Sequence, residues 1–433
     1  MAKKRLVIIG AGPTGLGAAY RLNERKEDIE VIIIDDQGCI GGLAGTRYCD
    51  DGFSWDLGGH VVFSNFEYFN KVMDRVFGED LLSYKRNAFV YMMVSTGEYR
   101  WIPFPIQRNI DHLPIEDRDR IKNDEDCEVV DFETWMMKTF GKHLTSIFMR
   151  PYNKKVWTVP GDKMNIEWVK DRVASKSEES KTNWGPNADY KYPKSGGTGA
   201  IWKKIGESLP KEWFMLGERV TEIDYEKKKL IISCGKEMRY DYLITTIPLP
   251  RLSVMTGIAP ETKDLRHTAT HIVGIGFRGE MPGFMRSKSW IYFPGVSVPF
   301  YRVTPLSQYA GLAPQDHFSM LCECADDPAE VRGKEVIVDS SIKSLCLLFN
   351  LDENKVASIF YEFLPYGYPI PTLERNEILK TAIPKFEAYS IYSRGRFGGY
   401  KYEIANQDHS FMQGVEVVDY IFDGKPCSIY RID

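Results

Sequence analysis

Gly10, Gly12 and Gly15 stand in the run Gly10-Ala11-Gly12-Pro13-Thr14-Gly15, directly after the apolar residues 6–9, and Asp35 follows twenty residues after Gly15. This is the order of a dinucleotide-binding β-α-β unit. Gly10 turns the chain sharply off a strand, Gly12 leaves room for a pyrophosphate against backbone, and Gly15 lets the next helix begin close to the sheet. The N–H groups at that helix end hold phosphates. A second strand over 31–34 ends at Asp35, whose carboxylate suits a ribose 2′-hydroxyl and repels a 2′-phosphate. FAD or NAD(H) fits; NADP as a tightly held ligand does not.

A second glycine turn, Gly41-Gly42-Leu43-Ala44, precedes Trp55-Asp56-Leu57-Gly58-Gly59-His60. Two such turns favour FAD over NAD, because an extended cofactor needs close backbone approach at more points than its pyrophosphate. His60 has two readings: a ring satisfied by nearby backbone, or a group beside the flavin that tunes its redox state. The chain has no nucleophile elbow, no metal-ligand helix and no acidic pair at a general acid and base spacing. What recurs is arginine, asparagine and aromatics together: Arg150-Pro151-Tyr152-Asn153 with Trp157, Trp290 and Tyr292 with Tyr301-Arg302, Tyr368, and Arg396 with Tyr402. Guanidinium groups match diphosphate oxygens and aromatic faces cover a sugar or base, so these clusters after an FAD motif suggest a nucleotide-sugar pocket. Taken singly, each cluster reads better as an ordinary packing or surface feature.

The elements that must position these residues follow from length and pattern. At 433 residues the chain exceeds one core, since single cores stop growing near about 250 to 300 residues. Its 56 basic and 60 acidic residues, net charge −4, give no field for nucleic acid or an acidic membrane surface. Eight cysteines lack metal spacing and are expected to be buried structural thiols in a reducing compartment, with no metal site. Gly10 interrupts the first apolar run, so no signal peptide is expected, no stretch suits a membrane span, and a cytoplasmic location follows. Asp131 as N-cap, Phe132, Trp135, Met136 and Phe140 at helical spacing, and Gly141 as stop predict a core-facing helix. The polar segment 170–186, with Arg172 and Asn187 near its ends, is either a solvated loop or a lid. Gly196-Gly197-Thr198-Gly199 opens a helix bearing Ile201, Trp202, Ile205 and Leu209. Short strands follow over 219–225 and 230–234, and a buried strand over 242–247 returns to the parallel sheet. Runs over 272–277, 290–293 and 300–303 predict an antiparallel sheet, and Asn406-Gln407-Asp408-His409-Ser410 a second capped helix aimed at phosphates.

Beyond these readings the chain resembles the UDP-galactopyranose mutase family, in its eukaryotic-type branch. The resemblance runs nearly end to end through GAGPTGLGAA, DLGGHVVFS, FMRPYNKKVW, NWGPNA with GGTGAIW, WIYFP with PFYR, GYPIPTLER and SRGRFGGYKYEIANQDHSFM. It implies an α/β fold: a Rossmann-like FAD-binding domain (1–66, 188–264 and 391–433), an inserted helical domain with a lid segment (108–187), and a six-stranded antiparallel sheet domain (84–107 and 265–390). It implies an isomerase that interconverts UDP-galactopyranose and UDP-galactofuranose for cell-surface glycan synthesis without net redox change. In the family the reduced flavin's N(5) attacks the anomeric carbon and expels UDP, a covalent adduct permits ring opening and reclosure, and NADPH reduces the flavin as a transient visitor. By motif position, Arg172 and Arg302 match the diphosphate clamp and His60 the flavin-side histidine. Tyr309, Tyr368 and Tyr402 match phosphate contacts, and Gln107, Asn153, Trp157, Asn187, Trp290 and Tyr292 the uridine and sugar. Thr14, Asp35, Leu43, Gly59, His60, Val220, Arg396, Asn406, Gln407 and Ser410, with Gly10, Gly12, Gly15 and Gly42 of the glycine turns, match the FAD site. Phe104 and Ile106 stand where the family usually places other aromatics, which leaves the nucleobase and sugar open. A flavin-dependent amine oxidase or desaturase, sharing the cofactor domain, is the rival reading. Oligomeric state is left open.

Overall fold

The computed structural model describes residues 3–122, 128–173, 188–309 and 311–432. Strand Lys4–Ile9 is buried from Leu6 onward, and its register with Ile29–Asp35 on one side and Tyr242–Thr245 on the other is parallel. Ile391–Ser393 and Phe214–Leu216 complete a five-stranded, all-parallel sheet. Alternate residues of the first strand feed opposite cores: Leu6 and Ile8 pack with Leu16, Trp202 and Phe411, while Val7 and Ile9 pack with Leu252, Phe386 and Ile391.

Helix Pro13–Arg25 leaves the sheet at Gly10, whose φ of 109° excludes other residues without strain. It crosses helix Gln407–Asp423 at glycines. A Cβ on Gly17 would lie 2.0 Å from the Phe411 carbonyl oxygen, and one on Gly414 equally close to that of Thr14, at 2.0 Å. The C-terminal helix is thereby brought against the first helix, although the two are separated by most of the chain.

The second sheet differs from expectation. It has seven strands, in the order Val356–Leu364, Ala269–Arg278, His317–Asp326, Arg302–Pro305, Ile291–Tyr292, Phe89–Met93, Tyr99–Pro103. The pairing of Ile291–Tyr292 with Phe89–Met93 is parallel, so the sheet is mixed rather than six-stranded and antiparallel. The cause is that the 89–103 hairpin, distant in sequence, joins the edge of a sheet otherwise built from 269–364. Gly274 and Gly276 in its long central strand make room for the rings of Trp55 and Phe53, which dock the second glycine segment onto the sheet.

The helical part begins as expected, with a capping box between Asp131 and Thr134. Gly141 is not a stop. Its φ of +81° bends the helix, which runs on to Leu144, through a π-turn at Thr145–Met149 and into Arg150–Trp157. Of the thiols, Cys322 and Cys324 are buried, but Cys39 and Cys234 are exposed, because they sit in loops outside the cores. No helix among the described residues is long and apolar enough to cross a membrane, and none of their His, Cys, Asp and Glu side chains gather in threes to hold a metal.

Candidate functional site

Three cavities lie in series between the parallel sheet, the helical part and the mixed sheet. The first, about 290 Å³, is lined at one end by Gly10, Gly12, Asp35 and Gly42 and at the other by His60, Arg396, Gln407 and Ser410, with Thr14 and Leu43 between. The two glycine turns touch: a Cβ on Gly42 would lie 3.2 Å from the Gly12 Cα. Gly15 lies behind them, where a Cβ would meet the Gly10 carbonyl oxygen at 1.8 Å. Asp35 is fixed by its own backbone surroundings, accepting from the Ala11 N–H at 2.6 Å and the Gln37 N–H at 2.8 Å. Burial raises its pKa against those two bonds. Helices Pro13–Arg25 and Gln407–Asp423 both begin here, and neither has a side-chain cap. Their unpaired N–H groups and dipoles suit a diphosphate. The expected Asn406 cap is absent because its Oδ1 accepts instead from Arg172, at 2.7 Å. An extended dinucleotide therefore fits this cradle: an acceptor for ribose hydroxyls, backbone bare of side chains, and donors for phosphate.

His60 and Arg396 line both the first cavity and the second, a polar cleft of about 220 Å³. The turn that carries His60 is held by Asp56, which is fully buried and accepts from Thr46, Tyr192 and Thr198; burial pushes its carboxyl up to about 6. The Thr198 hydroxyl then donates to the His60 carbonyl at 2.8 Å. The His60 Nδ1 is buried and has no protein partner. Burial, reinforced by Arg396 and Arg302, lowers its pKa to about 3, so the ring is neutral at ordinary pH.

The cleft collects cations. Gly59 lets the Arg302 guanidinium come close, with Cζ 3.4 Å from where a Cβ would be. Arg302 is buried against Glu323, which takes both its Nε and its Nη2, the latter at 2.7 Å. Burial opposes the charge, but Glu323 holds Arg302 well above its usual range. Arg172 donates to the carbonyls of Tyr402 and Glu403 at 3.1 and 2.8 Å, and its guanidinium lies over the Tyr402 ring. Arg396 reaches the Ala405 and Gly367 carbonyls and covers Tyr368. Burial lowers the Arg396 pKa. Neither Arg172 nor Arg396 has a carboxylate partner among the described residues. A buried cluster with more cations than anions is costly unless an anion enters.

The third cavity, about 180 Å³, shares Phe104, Arg172, Tyr292, Arg302, Tyr368 and Tyr402 with the second and adds Gln107, Asn153 and Trp157. Asn153 is oriented by donating to the Met149 carbonyl at 2.7 Å and accepting from the Trp157 indole at 3.2 Å. Trp290 presents a buried indole N–H without a protein partner on the second cavity's wall. Asn187 and the segment 175–181 lie outside the described residues.

Two expected contacts fall elsewhere. Tyr309 is buried in the core, stacked on Tyr192 at 4.0 Å with its hydroxyl 3.0 Å from that of Tyr190. The 3₁₀ turn before it, Leu306–Gln308, carries it past the cleft. Val220 buries its side chain among Ile223, Leu230 and Ile232 and lines none of the three cavities. Ile106 is likewise a core residue, 0% exposed. Glu323, which holds Arg302, was missed by sequence reasoning; its signal was a carboxylate between Cys322 and Cys324 in the buried middle of strand His317–Asp326. Arg375 was also missed: it holds the Glu403 carboxylate at 2.8 and 2.9 Å and so fixes the turn that supplies Tyr402.

A model of the flavin containing amine oxidoreductases matches residues 13–274, which places the chain in that class of flavoproteins. A putative protoporphyrinogen oxidase from Exiguobacterium sp. 255-15 and a putrescine oxidase share the fold, at 18% and 14% identity and TM-scores of 0.77 and 0.67; the first match covers 98% of this chain and 100% of the other, the second 98% and 99%. Reduced UDP-galactopyranose mutase superposes with a TM-score of 0.90 at 36% identity, over 98% of this chain and 95% of that one. The chain belongs to the UDP-galactopyranose mutase family.

Proposed function

We propose that this chain is a flavin-dependent isomerase that interconverts UDP-galactopyranose and UDP-galactofuranose with no net redox change. The observation that carries the reading is the junction at His60 and Arg396, where a dinucleotide cradle opens directly into an arginine and aromatic cleft. FAD would be held by Asp35 at its ribose, by Gly12, Thr14, Gly42 and the two helix N-termini at its diphosphate, and by Gly59, His60, Arg396, Gln407 and Ser410 towards its ring. When bound and reduced, the flavin supplies an electron-rich nitrogen able to bond a sugar carbon reversibly.

The chain's own residues bind, orient and neutralise. Arg172 and Arg302 face the diphosphate, whose negative charge grows as the sugar bond breaks, and Tyr368 and Tyr402 add hydroxyl donors. Glu323 keeps Arg302 from folding onto other acceptors and leaves its remaining N–H groups for phosphate. Trp290, Tyr292, Asn153 and Trp157 flank the sugar, and Gln107 meets the base from the third cavity. His60 stays neutral and serves as a hydrogen-bonding partner for the cofactor, not as an acid. NADPH is the proposed reductant, visiting the same cleft, and the cytoplasm the proposed compartment.

The rival amine oxidase reading fares poorly here, because an amine arrives as a cation and the four arginines of the cleft, Arg86, Arg172, Arg302 and Arg396, outnumber Glu323 and Asp408. A chromatographic product assay on enzyme reduced in advance, supplied with UDP-, dTDP- and GDP-linked hexoses, tests the proposal. Conversion of the UDP-hexose alone is expected. Acceptor consumption at every turnover would replace the isomerase with an oxidase.

A further inference from the structure

Lys155 sits near the end of helix Arg150–Trp157, and its Nζ is ringed by four backbone carbonyls of one remote segment. These are Phe293 at 3.1 Å, Gly295 at 2.8 Å, Val298 at 3.0 Å and Phe300 at 2.6 Å. The segment joins strand Ile291–Tyr292 to strand Arg302–Pro305 and has no sheet partner of its own. It cannot satisfy these carbonyls by itself: its residues include Pro294, Gly295 and Pro299, and no backbone N–H is paired with any of the four among the described residues. A half-buried ammonium reaches all four at one point, its three N–H groups shared among them.

We propose that Lys155 is a positioning residue of the site: its ammonium ties segment 293–300 to helix Arg150–Trp157 and so sets Tyr292 and Arg302 against Asn153 and Trp157. The inference rests on the isomerase reading for its kinetic consequence, not for the clamp itself. One wall of the third cavity is carried by the helix, the other by the strands at either end of the clamped segment. The two walls are separated by well over a hundred residues of chain, and the Lys155 ammonium is a polar tie between them made of charge-assisted hydrogen bonds.

The tie depends on charge. Segment 293–300 has no titratable side chain. On the helix, Arg150 is paired with Glu133, and Lys154 donates to the Thr158 carbonyl. Behind the amine, the Cys324 thiol is pushed up to about 12 by burial and stays neutral, and Arg332 is paired with Asp326. No carboxylate pairs with Lys155 among the described residues, and burial lowers its pKa to about 7, with Arg332 acting in the same direction. The clamp is therefore charged in mildly acid solution and weakens as the pH rises through neutrality.

The test compares FAD-loaded wild type with Lys155→Met, which keeps the stem and removes the charge. At about pH 6.5 the variant is expected to lose at least tenfold in kcat/KM for UDP-galactofuranose and to lose hydrogen-exchange protection over 293–303. Wild type is expected to show both losses as the pH rises above about 7, and the variant to lack that alkaline limb. Equal protection and equal kcat/KM in the two proteins, or an alkaline limb that survives in the variant, would overturn the clamp. If the variant does not fold or load FAD, wild-type exchange decides: protection over 293–303 that is independent of pH, after correction for intrinsic rates, overturns it. A wild type that is idle on the nucleotide-sugar overturns the isomerase reading instead, and the exchange measurements then judge the clamp alone.

Discussion

Arg302 and His60 show how side chains are tuned before any ligand arrives. Arg302 is committed to Glu323 on one edge and faces the cleft on the other, so its loss should fall on the transition state more than on the fold. Arg302→Ala is expected to load FAD normally and to lose roughly 10²- to 10³-fold in kcat, read by steady-state kinetics on the reduced enzyme. Unchanged kinetics would remove Arg302 from the site. For His60 the sign follows from burial. The folded ring holds a proton only below about 3, against about 6.5 for an ordinary histidine, so its contribution to stability is complete above about pH 6.5 and is lost as the pH falls towards 3. Wild type should therefore lose on the order of 2 kcal/mol between about pH 7 and pH 5 from this group, and His60→Asn should lose less, by urea titration at each pH. At this scale the sequence was informative where chemistry is local. The glycine turns and Asp35 declare themselves by type and spacing, and the arginine-aromatic clusters only by recurring after them. Glu323 and Arg375 do not, because a buttress is recognised only by the distant group that it holds. Tyr309 shows the converse: its motif position did not bring it to the cleft, since its ring lies in the core beyond the 3₁₀ turn Leu306–Gln308, stacked on Tyr192.

The crossing of helices Pro13–Arg25 and Gln407–Asp423 positions the two uncapped N-termini proposed to face the cofactor's phosphates. It is made of glycine against backbone, and a methyl group has nowhere to go: the nearest atoms to an added Cβ on Gly17 belong to the Phe411 backbone. Alanine in place of helical glycine ordinarily adds up to about 1 kcal/mol of stability. Here overpacking, typically about 1–3 kcal/mol, outweighs that gain. Gly17→Ala is expected to lower the denaturation midpoint and to release flavin more readily, measured by urea unfolding and bound-flavin absorbance; a more stable variant would contradict the crossing. The first β-α-β unit and the capped start at Asp131 were legible because they are written in consecutive residues. The mixed pairing of the second sheet was not, since hairpin 89–103 and strand Ile291–Tyr292 meet only through tertiary folding. Gly141 was misread for a related reason: a glycine that ends a helix and one that bends it look alike until the surrounding packing decides.

Across the whole molecule, net charge and local charge point in opposite directions. The chain carries −4 overall, yet its cleft gathers Arg86, Arg172, Arg302 and Arg396 against the carboxylates of Asp408 and Glu323, the latter paired with Arg302. UDP binding should accordingly be driven by local cations and partly screened by salt. Calorimetric affinity for UDP is expected to fall several-fold between about 50 and 500 mM salt, and an affinity unaffected by salt would argue against a charge clamp. Three regions far apart in sequence build this cleft, so only the sum of their motifs, and not any one of them, pointed to a nucleotide-sugar. The central claim is that the two joined cavities place a reduced flavin against the sugar of a nucleotide diphosphate. It is tested most directly by incubating the dithionite-reduced holoenzyme and the oxidised holoenzyme separately with UDP-galactofuranose and separating the products. UDP-galactopyranose from the reduced enzyme alone, with no acceptor consumed, is the predicted result; equal conversion in both states, or none in either, would contradict it.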